Sequence, residues 1–183
     1  WGRRARKEAA YFDGRQFAAR NLYWKNYVIN ASGVLFRRQY ALNLAESDFI
    51  RMRCCGDWLF WFQMALQGGV GMIYRNLNYF RQHTAKVTVA STRSGESIRE
   101  GLQVVQKMEK ELPLLKEYKK RLCRGRFYRR IKRSSLSEEC KEELFDELSA
   151  VLGGTVADYR LERLNQFLRV LNPFILTPGR DRL

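Results

Sequence analysis

The sequence predicts an α/β protein: a partial mixed sheet with packed helices over residues 1–90, followed by an α-helical region over residues 91–183. Three observations predict it. Tyr27–Arg37 and Val70–Phe80 are rich in β-branched and aromatic residues, an apolar segment beginning at Asp57 lies between them, and after Ala90 the apolar residues recur at helical spacing. A hydrophobic content of 45% with 13% aromatics belongs to a chain that builds a core. Its 183 residues suffice for one domain, or for a small domain with a helical appendage. The chain opens on Trp1 in mid-pattern, so the sequence reads as a piece of a longer protein.

Taken in order, Arg3–Tyr23 mixes Ala, Arg, Glu and aromatics without proline, which suits one or two short helices. Tyr27–Arg37 (YVINASGVLFR) reads as a strand whose small centre, Ala31, Ser32 and Gly33, marks a bulge or a close backbone approach. A short helix or loop is expected over Arg38–Arg53. Asp57–Gln67 (DWLFWFQMALQ) is apolar nearly all round, the composition of a buried helix, and Gly68 and Gly69 end it. The run Gly68-Gly69-Val70-Gly71 lacks the spacing of a phosphate-binding fingerprint and reads as a turn. Val70–Tyr74 and Leu77–Phe80 read as strands on either side of Arg75 and Asn76.

Ala90–Ser97 (ASTRSGES) has the composition of a linker. Ser97 and Glu100 then stand at capping-box spacing before a helix carried by Ile98, Leu102, Val105, Met108 and Leu112. Pro113 can start a second helix. Ser135 and Glu138 repeat the capping spacing before a third that runs through Leu152, and Leu161, Leu164, Phe167, Leu168 and Leu171 mark a fourth ending near Pro173.

The formal charge is +15, which favours anionic partners such as nucleic acid, phosphates or acidic lipid. Much of the excess is local: Lys119–Arg133 holds nine Lys or Arg and no carboxylate, with Phe127 and Tyr128 among them. That segment fits a solvated helix face, a patch on an anionic membrane, or a nucleic-acid grip that stacks bases on Phe127 or Tyr128. Cys54, Cys55, Cys123 and Cys140 form no metal-site spacing and are expected as reduced thiols. The best apolar run, Trp58–Leu66, falls well short of the roughly 20 residues a bilayer requires. A cytoplasmic chain is expected, with the basic segment able to place it at the inner face of the plasma membrane.

Two constellations could carry chemistry. Asp57 stands immediately before a buried aromatic helix, where a carboxylate serves either as the helix cap or as a general base at the edge of a cleft. In Tyr79-Phe80-Arg81-Gln82-His83, Arg81 and the single histidine of the chain close a strand. They are either a solvated cation with a structurally hydrogen-bonded imidazole, or a phosphate contact with a metal ligand.

At these residues the chain resembles a known family. NYVINASGVLFRR (Asn26–Arg38) and CGDWLFWFQMALQGGVGMIYRNLNYFRQH (Cys55–His83), followed by helices, resemble the C-terminal, acceptor-side half of bacterial family 2 glycosyltransferases of the GT-A fold. The resemblance implies an inverting transfer of sugar from a nucleotide-sugar donor to a saccharide or lipid-linked acceptor. It puts Asp57 in the place of the base that deprotonates the acceptor hydroxyl. Asn30 and Ser32 become candidate sugar contacts, Trp58 a candidate stacking platform, Arg81 a contact to the diphosphate, and His83 a ligand of its metal. Such enzymes also carry a nucleotide-binding half and an Asp-x-Asp motif, and this chain contains neither. A divalent Mg or Mn is therefore expected in the parent enzyme, tight binding of it to this chain alone is not, and the isolated chain is expected to be inactive. The alternative is a basic helical nucleic-acid-binding module.

Overall fold

The computed structural model describes residues 8–44, 47–75, 77 and 94–172. The protein is mostly helical with one small antiparallel sheet. Strand β1 (Ala9–Asp13) pairs with β2 (Gly69–Ile73), Ala9 opposite Ile73 and Asp13 opposite Gly69. Between them lie α1 (Gly14–Phe17), which passes into a π-helical turn over Ala18–Leu22, then α2 (Arg38–Leu42) and α3 (Gly56–Leu66). Four longer helices follow: α4 (Glu96–Glu111), α5 (Glu117–Lys132), α6 (Glu138–Leu152) and α7 (Val156–Leu171).

The sheet differs from the mixed sheet expected. Tyr27–Arg37 contains no strand; its centre is a single 3-10 turn, Ala31–Gly33, in which the Asn30 side chain accepts from the Ser32 backbone. An Asx-type turn at Asn30 gives the backbone a local alternative to the ladder. The second strand comes instead from the Ala-rich start, part of which was expected to be helical. Phe12, Val70 and Met72 turn one face of the hairpin toward the core, while Tyr11 and Ile73 stay exposed. Asp13 then accepts from Gln16 N and opens α1. The Gly68–Gly71 run is not a turn as a whole, because Gly69 already belongs to β2. Of the expected strand Leu77–Phe80 and the linker Ala90–Ser97, residues 78–80 and 90–93 lie outside the described residues.

The helical expectations hold more closely. Helix α3 starts at Gly56 and buries Trp58, Leu59, Trp61, Phe62 and Ala65. Ile98, Leu102, Val105, Met108 and Leu112 are all buried on α4 or its C-terminal edge. The caps lie elsewhere than expected: Gly95, not Ser97, is the N-cap of α4, and Ser137, not Ser135, caps α6 by accepting from Cys140 N. Pro113 precedes α5 by a turn rather than starting it. One hydrophobic core runs from Leu22, Tyr23 and Trp24 through Trp58, Leu59 and Phe62 to Met108, Ile131, Leu144 and Leu148. The four cysteines form no disulfide, and among the described residues no helix is long and apolar enough to cross a membrane.

Helix α5, the basic segment, is the central strut of this bundle. Leu122, Cys123, Phe127 and Ile131 bury one side of it. Arg121 pairs with Asp158 and Arg129 with Glu162, both on α7, while Arg124 reaches Glu109 on α4 and Glu117 on its own first turn. Helix α7 answers in kind: it buries Asp158, Glu162 and Asn165 and leaves Leu164, Phe167, Leu168 and Leu171 exposed. Gly125 permits this approach, since a Cβ there would lie 2.3 Å from the Asp158 carbonyl oxygen.

Candidate functional site

Asp57 is an exposed carboxylate in the first turn of α3, one residue inside the helix rather than at its cap, which is Cys55. Its Oδ1 accepts from the Trp58 backbone N–H at 2.7 Å and its Oδ2 from Asn26 Nδ2 at 2.8 Å. These contacts fix the carboxylate and leave each oxygen further acceptor capacity, since an ionised carboxylate offers about four acceptor positions. The first-turn location places negative charge against the positive end of the helix dipole.

The segment ahead of Asp57 is held from across the bundle. Glu100, 8% exposed on α4, accepts from the backbone N–H groups of Arg53, Cys54 and Cys55, each at 2.7 Å. A buried carboxylate thus fills a concave run of three donors, and it fixes the entry to α3. Cys55 Sγ donates to the Ser97 carbonyl at 3.6 Å, and burial, reinforced by the Glu100 charge, pushes its thiol up to about 12 while Arg130 pulls the other way. The Asp57 loop and the start of α4 therefore share an edge.

The other residues singled out in the sequence fall in different places. Trp58 is a core residue at 8% exposure whose indole N–H donates to the Leu22 carbonyl, and Gly101 is close to both its ring and that of Phe127. So embedded, it has no open face for a sugar ring, which corrects the expectation of stacking. Asn30 Oδ1 is occupied by the backbone N–H and hydroxyl of Ser32, so these two side chains make a local turn with one another. Asn26, not Asn30 or Ser32, touches Asp57. Arg81 and His83 lie outside the described residues. Among the described residues no three His, Cys, Asp or Glu side chains gather into a metal-ligand set. In the basic segment, Phe127 is buried and Tyr128 packs between Phe145 and Tyr159, with ring centroids at 4.3 and 5.2 Å, so neither aromatic is presented for stacking.

Compared with protein-family models, curated proteins and solved structures, the chain finds no match. Asn26 and Glu100 were not legible as site residues. The asparagine stands immediately ahead of the strand-like run that opens at Tyr27, and the glutamate looked like one half of a local cap.

Proposed function

We propose that the chain is the acceptor-side part of an inverting, family 2-like glycosyltransferase, moving a sugar from a nucleotide-sugar to a saccharide or lipid-linked acceptor, with Asp57 as general base. The observation that carries this reading is the Asp57 carboxylate itself: exposed, fixed by Asn26 and by its own helix, and mounted on a buried aromatic helix. A base needs that combination of access and fixed aim. In the reaction the carboxylate accepts the proton of the acceptor hydroxyl as that oxygen forms its bond to the anomeric carbon. The bond from that carbon to the nucleoside diphosphate breaks on the opposite face, and the configuration inverts.

Donor binding belongs to chain outside this sequence in this reading. The described residues assemble no three-member His, Cys, Asp or Glu ligand set, and in this reading the divalent Mg or Mn belongs with the donor-binding half. The test is Asp57→Asn in a protein that joins this chain to a donor-binding half. Asparagine can still accept from Trp58 N–H, so folding survives, but it cannot take the proton. Turnover should fall about 10²- to 10⁴-fold at nearly unchanged donor affinity and melting temperature. Transfer at the parental rate would show that Asp57 only shapes the first turn of α3.

A further inference from the structure

Between the first turn of α4 and the C-terminal half of α5 lies a cavity of about 320 Å³, walled by Arg126, Arg129, Arg130 and Arg133 together with Ser97 and Ser134. Its size falls at the small end of small-molecule sites. The four arginines stand at i, i+3, i+4 and i+7, one face of one helix. Their environment differs from that of the other arginines on α5. Arg121 and Arg124 are paired with carboxylates, whereas around the cavity only Arg129 is, with Glu162 at 3.2 Å. Arg130 donates to the Ser97 hydroxyl at 3.0 Å, Arg126 lies over the Trp24 ring at 5.7 Å, and no described carboxylate pairs with Arg126, Arg130 or Arg133.

Basic residues in the last turn of a helix are accounted for by its dipole, which acts over about one turn. Arg133 and Arg130 fit that account. Arg126 lies a further turn back and does not, and like charges at this spacing repel rather than support the helix. No carboxylate lines the cavity, and Ser97 and Ile98 in the first turn of α4 form its other wall. Guanidinium forks and the Ser97 hydroxyl converge on one small space, a donor set matched to the several oxygens of a phosphate and to more than one negative charge, while the Ser134 hydroxyl is already given to the Ile131 carbonyl at 2.7 Å.

We propose that this arginine-walled cavity is a binding site for a phosphate-bearing ligand, of the diphosphate or phosphomonoester class. The inference is independent of the transferase reading. The ligand takes the place of the missing carboxylates: its oxygens accept from Arg126, Arg130 and Arg133, and the Ser97 hydroxyl, now engaged by Arg130, is free to donate. No metal is required, because the neutralising charge is supplied by the protein.

Calorimetric titration of the full chain with inorganic pyrophosphate, in the presence of EDTA, tests this directly. One saturable site is expected, weakening as chloride is raised. Arg130→Gln and Arg133→Gln, both at exposed positions, should each weaken binding about tenfold or more, because a charge-assisted contact is lost. Arg160→Gln, an equal change of charge on α7, should leave it unchanged. Sedimentation with phosphatidylcholine vesicles, with and without phosphatidic acid, identifies the source of the phosphate. Vesicle binding displaced by pyrophosphate points to a lipid headgroup, and pyrophosphate binding without vesicle binding points to a soluble ligand. The proposal is overturned if pyrophosphate does not bind, if both cavity variants bind it normally, or if Arg160→Gln weakens it as much as they do.

Discussion

Glu100 shows how much one side chain can decide. Its carboxylate meets three backbone donors that would otherwise be partly buried without partners, and it ties α4 to the segment that delivers Asp57. Replacing it by an isosteric amide keeps the volume but presents an NH₂ group to N–H donors and removes the charge. Glu100→Gln should therefore destabilise the fold by about 2–4 kcal/mol, the sum expected for losing charge-assisted bonds and leaving a buried donor unpaired. Urea denaturation measures it. A change below about 0.5 kcal/mol would mean that these N–H groups are satisfied by solvent. The same residue marks a limit of sequence reading. Spacing pairs Glu100 with Ser97, three positions away, but its partners are 45 to 47 positions away, and no local pattern encodes that distance. Asp57 was legible because it stands immediately before an apolar run; Asn26, which holds it, was not, because nothing nearby sets an isolated asparagine apart.

At the level of elements, α5 and α7 invert a familiar rule. Leu161, Leu164, Phe167, Leu168 and Leu171 recur at the spacing that ordinarily marks a core-facing stripe, yet only Leu161 packs against the core, the other four are exposed, and the acidic side of α7 packs inward. The reason lies in the partner helix. Helix α5 presents Arg121 and Arg129 toward α7, so complementarity there requires Asp158 and Glu162, and the close approach requires Gly125. Gly125→Ala should cost about 2 kcal/mol or more, because the added methyl meets backbone that can yield only by moving α7. Phe167→Ser, at a residue 60% exposed, should change stability by no more than about 0.5 kcal/mol. Denaturant titrations of the two variants decide the orientation of α7: the reverse ranking would place its apolar side inward. Helix positions were readable from periodicity, since α3 to α7 fall where apolar spacing and turn residues put them. Which face of α7 turns inward was not, because that depends on what the neighbouring helix displays. The strands were harder still: β1 and β2 pair across 56 to 64 positions of intervening helix and loop, from Asp13 with Gly69 to Ala9 with Ile73. The β-branched run that resembled a strand is diverted into a turn by Asn30.

Across the whole molecule, the division between residues 1–90 and 91–183 that composition suggests meets a core that crosses it. Trp58 of α3 lies by Gly101 of α4 and approaches Phe127 of α5 around that glycine, and Tyr23 donates to Glu109 across the same boundary at 2.7 Å. The Asp57 edge and the arginine-walled cavity likewise meet at Cys55 and Ser97, one residue from each segment. A chain whose two parts shared only a polar surface would unfold in two steps, each governed by its own core. Here Leu59 and Phe62 belong to the same buried cluster as Met108 and Leu148, so loss of the helical part would expose the first segment's largest side chains to water. Calorimetric melting should therefore show one transition, with the van't Hoff and calorimetric enthalpies in agreement. Glu100→Gln should shift that transition as a unit, because the bond it breaks joins the two segments. Two resolved transitions, only one of them moved by Glu100→Gln, would show that the helices after residue 94 carry an independent core.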